Sequence, residues 1–191
     1  MKILFLNGSA RGDGNTNALL SMIAEQLDKN VFEARIINIS DYEINYCLGC
    51  HNCEKTRKCI QNDDMGNIYN AFEEVDLICM ASPSYWGYVT GQLKVFFDRS
   101  LPFCNTIHGK TTFPKGKRGI AISIRAGANE KESLEIIKAI EHYFSHLEII
   151  PLNNITFESV KDRSVLASEE VKKKIGKFVL ELNDWGRNHT Q

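Results

Sequence analysis

No apolar run in this chain approaches the roughly 20 residues that a bilayer crossing requires, so no transmembrane helix is expected. Proline is scarce, 4 in 191 residues, and with 13 glycines and 43% hydrophobic content this excludes collagen-like and disordered chains. An excess of either charge is missing too: 23 basic residues against 24 acidic ones leave a net charge of -1. Without a global electrostatic drive toward nucleic acid or an anionic membrane, any partner must be recognised by a local site. The basic patches at 55–58 and 115–118 then read as solvated loops. Repeats, linkers and low-complexity segments are absent, and the length suits a single domain over 1–191 with one substantial core. The N-terminus lacks the apolar length and small-residue cleavage pattern of a signal peptide, which makes a cytoplasmic protein the expectation.

What is present is alternation. Short apolar runs at 2–7, 32–39, 76–82, 118–124 and 148–155 predict strands. Between and after them, stretches at 17–27, 63–74, 93–97, 131–145 and 168–184 carry helical spacing, with Asn15 and Thr16 available to cap the first. Five strands alternating with helices predict one doubly wound α/β domain with a parallel sheet. Ligands bind such sheets beyond the carboxyl ends of the strands, at the switch in strand order. Attention therefore falls on the loops that start at Ser9, Ser82 and Ser123.

The first loop, Gly8-Ser9-Ala10-Arg11-Gly12-Asp13-Gly14-Asn15-Thr16-Asn17, is small, polar and leads into a helix. Unpaired N–H groups and the positive end of the helix dipole favour a phosphate there. Ser9, Thr16, Asn15 and Asn17 add donors, and Arg11 adds a charge. Neither Gly-Lys-Ser/Thr nor Gly-x-Gly-x-x-Gly occurs at the required spacing, which argues against NTP hydrolysis and ordinary dinucleotide binding. Asp13 would repel a phosphate unless it points to solvent. The second loop, Ser82-Pro83-Ser84-Tyr85-Trp86-Gly87-Tyr88, offers aromatic surface and close backbone approach to a planar ring. The third, Ser123-Ile124-Arg125-Ala126-Gly127, can meet the opposite edge of that ring, with Arg125 placed to stabilise negative charge. Lys94, Asp98 and Arg99 lie at helical spacing and read as a structural trio. No side chain stands out as an obligatory acid or base.

Gly8-Ser9-x-Arg11 with Asn15-Thr16-Asn17, then Ser82-Pro83-x-Tyr85 and Lys94-x-x-x-Asp98-Arg99, resembles the flavodoxin-like, NAD(P)H-dependent FMN reductases from residue 1 to about 155. The resemblance implies a flavodoxin-like three-layer sandwich with a five-stranded parallel sheet. It implies that Ser9, Arg11, Asn15, Thr16 and Asn17 hold the FMN monophosphate. Pro83, Ser84, Tyr85, Trp86 and Gly87 would line the isoalloxazine, facing Ser123, Arg125 and Gly127. A homodimer or homotetramer is also expected from it, as is NAD(P)H as electron donor.

Cys47, Cys50, Cys53 and Cys59 occupy one segment, 47–59. Spacings of two let successive sulfurs turn toward one centre, and iron–sulfur clusters take four thiolates, whereas zinc sites more often join two separated pairs. Lys55, Arg57 and Lys58 would offset the anionic charge. The pattern resembles the iron–sulfur flavoprotein branch of the same family, which implies a [4Fe-4S] cluster near the flavin. Reduced structural thiols or a thiol switch stay open as alternatives. Cys79 and Cys104 read as core residues, and His51 as exposed. The expectation is an FMN-dependent oxidoreductase passing electrons from NAD(P)H or a ferredoxin-like donor to a small-molecule or protein redox partner, a quinone, aromatic or oxygen among them. Its rivals are a cluster-free NAD(P)H:FMN or quinone reductase and a noncatalytic carrier or thiol sensor.

Overall fold

The computed structural model of the chain describes all residues except His108, Thr190 and Gln191. His108, to which the sequence assigns no ligand role, lies outside the described residues. In chain order the elements are β1 (Lys2–Asn7), α1 (Asn15–Gln26), β2 (Glu33–Asn38), α2 (Asn52–Thr56), α3 (Met65–Glu73), β3 (Leu77–Pro83), α4 (Gly91–Arg99), β4 (Arg118–Ile124), α5 (Glu130–His146), β5 (Ile150–Phe157), α6 (Arg163–Leu166) and α7 (Glu169–His189). The five strands form one parallel sheet in the order β2-β1-β3-β4-β5.

Alternation of side chains along each strand splits the core between the two faces. Leu4, Leu6, Ile78, Met80 and Ala121 pack with Phe72 of α3, Phe96 of α4 and Ile140 and Phe144 of α5. Ile3, Phe5, Cys79, Ile120 and Ile122 pack with Leu19 and Ile23 of α1 and Ile175 and Phe178 of α7. Both faces are covered, as parallel sheets require, and this explains why the inner strands β1, β3 and β4 are near-continuous apolar runs. The architecture is the expected three-layer flavodoxin-like sandwich.

Three differences from the sequence reading have local causes. The cap of α1 is Gly14, not Asn15 or Thr16, both of which are already helical. β5 starts two residues later than expected because Glu148 takes φ 56 and closes α5, with the Ile149 N–H donating to the Phe144 carbonyl at 3.0 Å. Finally, α2 is a single turn inside the cysteine loop, bounded by His51 and Arg57 in left-handed conformations, with no apolar periodicity to announce it.

Candidate functional site

The strand order reverses between β1 and β3, so the loops after these two strands flank the switch point. They are tied together at their base. The Gly8 N–H donates to the Ala81 carbonyl at 2.8 Å, and the Thr90 hydroxyl donates to the Gly8 carbonyl while accepting from the Leu93 N–H at 3.2 Å to cap α4. A Cβ on Gly8 would stand 2.8 Å from the Ala81 carbonyl oxygen, so the close approach demands glycine.

Within the first loop, Asn7 Oδ1 accepts from the Ser9 N–H at 3.0 Å, and Ser9 Oγ accepts from the Arg11 N–H at 3.1 Å. The Ser9 hydroxyl proton is left free to donate. α1 opens on Gly14 with no side-chain cap and no acidic residue in its first turn. The helix therefore begins with open N–H groups and an uncompensated positive end. Asp13 is exposed, and its backbone carbonyl is held by Arg163, so its carboxylate is no obstacle to an anion.

A cavity of about 150 Å³ joins these groups to the other loops. It is lined by Ser9, Arg11, Asn15 and Thr16 on one side and by Pro83, Ser84, Tyr85 and Arg125 on the other, with Val160 and Lys161 from the loop after β5. Ser84 and Arg125 also line an adjoining cavity of about 650 Å³, together with Trp86, Gly87, Gly127 and Glu132. Eleven of the thirteen residues singled out from sequence thus line this pair of cavities; Asn17 and Ser123 line neither. Ser123 is fully buried beside Ser82 in the sheet, a consequence of a strand covered on both faces.

Two members differ in detail from expectation. Arg125 is 2.6 Å from Glu132 and also donates to the Asn129 carbonyl, so its charge is already balanced. Trp86 is fully exposed at the tip of a two-residue turn, where Tyr85 and Tyr88 exchange backbone hydrogen bonds at 3.0 and 3.1 Å. Trp86 and Gly87 have φ 54 and 72, the left-handed pair of a type I′ turn, in which a tryptophan is disfavoured. Lys161, Asn7 and Thr90 were invisible to the sequence reading. Lys161 was findable, since it follows the fifth strand's carboxyl end.

The residues present fit FMN. Open helix donors, two hydroxyls and two cations, Arg11 and Lys161, converge where a phosphate would sit, and a wider cavity with aromatic and glycine walls adjoins them.

The cysteine loop leaves the domain through a neck made by two acidic residues. The Asn45 N–H donates to Asp63 Oδ2 at 3.0 Å and the Glu43 N–H to Asp64 Oδ2 at 2.9 Å. Arg99 of α4 clamps Asp63 in a bidentate pair, 2.5 and 3.0 Å, and donates to the Asn45 carbonyl at 2.7 Å. Burial alone would raise the Asp63 pKa, but the Arg99 hydrogen bonds and the N–H groups of Asn45 and Met65 hold it down to about 2. Because this lies below the ordinary aspartate value of about 3.9, the pair's contribution is complete above that value and is lost as pH falls through about 2. Urea unfolding between about pH 5 and pH 2 is expected to show a loss on the order of 2 kcal/mol that Asp63→Asn does not show.

Within the loop Cys47, Cys50 and Cys59 are exposed and Cys53 is half-buried on α2. Burial raises the Cys53 pKa, and the charges of Cys47, Cys59 and Cys50 add to the effect, so all four thiols bear on one region. That donor set fits a thiolate-bound cluster in its chemistry. Among the described residues, however, no three His, Cys, Asp or Glu side chains stand close enough to hold a metal ion as placed. Arg57 is held in place: its guanidinium donates to the carbonyls of Cys104, Ile107 and Lys110, fastening α2 to the segment after α4. His51 is exposed and pairs with Glu54 at 2.7 Å, and Cys79 and Cys104 are buried, as expected.

The family model described as NADPH-dependent FMN reductase matches residues 1–162. Among curated proteins, an iron-sulfur flavoprotein of Archaeoglobus fulgidus is 37% identical over 134 residues, covering 70% of this chain and 59% of the relative. One from Methanocaldococcus jannaschii is 31% identical over 155 residues, covering 81% of this chain and 77% of its own length. Similar solved structures include a flavone reductase, at TM-score 0.75 and 16% identity over all of this chain and 65% of that one. An FMN-dependent NADH-azoreductase from Bacillus anthracis gives TM-score 0.68 at 14% identity, covering 96% of this chain and all of the other. At such identities the structures speak for the fold alone.

Proposed function

The chain belongs to the NADPH-dependent FMN reductase family, and from that premise we propose that it is an FMN-dependent oxidoreductase carrying a four-cysteine [4Fe-4S] cluster. The observation that carries this reading is the convergence of an uncapped helix start with Ser9, Thr16, Arg11 and Lys161 at the switch point, facing Pro83, Ser84 and Tyr85. When bound, the flavin supplies acceptance of an electron pair from NAD(P)H or a ferredoxin-like donor, and the cluster supplies one-electron transfer toward a quinone, aromatic or oxygen acceptor.

The chain's own residues do the rest. Ser9, Thr16, Asn15 and the helix start orient the phosphate through hydrogen bonds, and Arg11 and Lys161 balance its charge. Tyr85 and the turn at Trp86 and Gly87 shield the ring from water. The Arg125–Glu132 pair fixes the far wall. Cys47, Cys50, Cys53 and Cys59 hold the cluster, and their closing into ligand distance accompanies its binding. The names of curated relatives, iron-sulfur flavoproteins, support this assignment. Tyr46, Leu48, Ile60 and Trp86 expose large apolar side chains around the two loops, which supports a homodimer or homotetramer that covers them. Among the described residues no helix is long and apolar enough to cross a membrane, and a cytoplasmic location accords with free thiols.

Anaerobic purification with flavin, iron and acid-labile sulfide measured together tests the proposal. One FMN and about four iron and four sulfide per chain are expected. FMN without iron or sulfide after reconstitution would establish the cluster-free reductase instead. Turnover of NAD(P)H with a quinone separates either enzyme from a noncatalytic carrier.

A further inference from the structure

Helix α5 carries two histidines four residues apart at its carboxyl end, His142 and His146. Their Nε2 atoms face each other at 3.1 Å, with the ring planes crossed at 84°. One of the rings is fixed from outside. The Asn105 Nδ2 group donates to the Ser145 carbonyl at 3.2 Å, which turns Asn105 Oδ1 toward His146 Nδ1 at 3.3 Å. An amide oxygen only accepts, so Nδ1 carries the proton and His146 Nε2 presents a bare lone pair. Such a hydrogen bond on the far nitrogen is what readies an imidazole for a metal. The His142 ring is exposed and makes no other hydrogen bond among the described residues, so its Nε2 can leave His146 for another ligand.

Two imidazole nitrogens bound to one metal at about 2.0–2.1 Å stand about 2.9 Å apart at a right angle and about 3.4 Å at the tetrahedral angle, so 3.1 Å is already the spacing of a chelating pair. Histidines at i and i+4 on one helix face recur as metal ligands, and the last turn of a helix adds the negative end of its dipole. The pair borders a cavity of about 490 Å³ together with Tyr88, Asp98, Thr106 and Cys47. Lys94 on its wall pairs with Asp98 at 2.5 Å, so its charge is balanced. Among the described residues no third His, Cys, Asp or Glu stands close enough to complete a cage, which leaves the remaining positions open to the cavity. We propose that His142 and His146 form a two-histidine site for a divalent first-row cation of the imidazole-preferring group, zinc, nickel or copper, with water or a small ligand in its other positions. Each ring gives the metal its Nε2 lone pair, and the Nε2 proton of His142 moves to its Nδ1. The site needs neither flavin nor cluster.

The test is calorimetric titration of the untagged, anaerobically purified protein with Ni2+. A histidine-dependent site of one Ni2+ per chain is expected in the wild type and in His51→Ala, whose histidine lies in the cysteine loop. In both His142→Ala and His146→Ala its affinity should fall by more than the roughly 10-fold that disturbing a ligand's outer hydrogen bond already costs. Retention of the wild-type titration in both variants overturns the proposal, as does a loss confined to one of them, which marks a single surface histidine. A second measurement stands should the His146 variant, which also releases Asn105, fail to fold. In wild type labelled with 15N in its histidine rings, added Zn2+ should shift the Nε2 resonances of two histidines together, and His142→Ala should abolish both shifts. A shift of one ring, or of none, overturns the site.

Discussion

Asp63→Ala is expected to lower the free energy of unfolding by about 3–5 kcal/mol, because it strands the Arg99 guanidinium in the interior without its counter-charge. The side chains of both partners are almost wholly buried, 1% and 4% exposed, so water cannot take over the lost bonds. Two backbone N–H groups, those of Asn45 and Met65, lose their acceptor at the same time. Equilibrium urea unfolding measures the effect, and protease digestion should find the cut site first at the neck of the cysteine loop. The double variant Asp63→Ala with Arg99→Met removes both charges and is expected to recover much of the loss, since a buried pair replaced by apolar groups is far less costly than a broken one. A loss below about 1 kcal/mol for Asp63→Ala would mean that the pair is solvated and that the neck is open.

The double variant Arg11→Ala with Lys161→Ala is expected to weaken FMN binding by about 100-fold or more, taking each charge-assisted bond to the phosphate as worth about 1.5–3 kcal/mol. Both side chains are exposed and line the smaller cavity at the switch point. Neither side chain has a structural partner among the hydrogen bonds and ion pairs of the described residues, so stability should change by less than about 0.5 kcal/mol. Flavin fluorescence titration of the apoprotein reads the affinity. Riboflavin, which lacks the phosphate, supplies the internal control: its affinity should be the same in wild type and variant. Equal losses for FMN and riboflavin would place the two cations at the ring rather than at the phosphate.

The two experiments probe features that differ in how far they could be seen in advance. Ser9, Arg11, Asn15 and Thr16 lie within one eight-residue stretch of the chain and follow a strand that announces itself, so their gathering at a helix start was readable from order alone. The same holds for Pro83 to Gly87. Lys161 joins them from 150 residues away, and only its place after the carboxyl end of β5 marks it. Trp86 was legible as a residue of the loop but not as an exposed one, because the tight turn that turns it outward depends on the backbone bonds between Tyr85 and Tyr88. Arg125 was legible as a cation near the site, yet its neutralisation by Glu132 needs α5 to return across the loop. The spacing of Lys94 and Asp98 gave their pair correctly, being a property of one helix.

Strand identity, helix identity, the parallel sheet and the loops that carry the site were determined by the sequence itself, because strand pleat and helix pitch impress periods of 2 and 3.6 on neighbouring residues. Which charges meet was decided only by the tertiary structure. Arg99 illustrates the reason: the sequence groups it with Lys94 and Asp98 on one helix, but a guanidinium on the inner face of a packed helix is removed from water and must find its partner where the fold brings one. That partner is Asp63, 36 residues distant, and its identity follows from the packing of α4 against the neck of the cysteine loop.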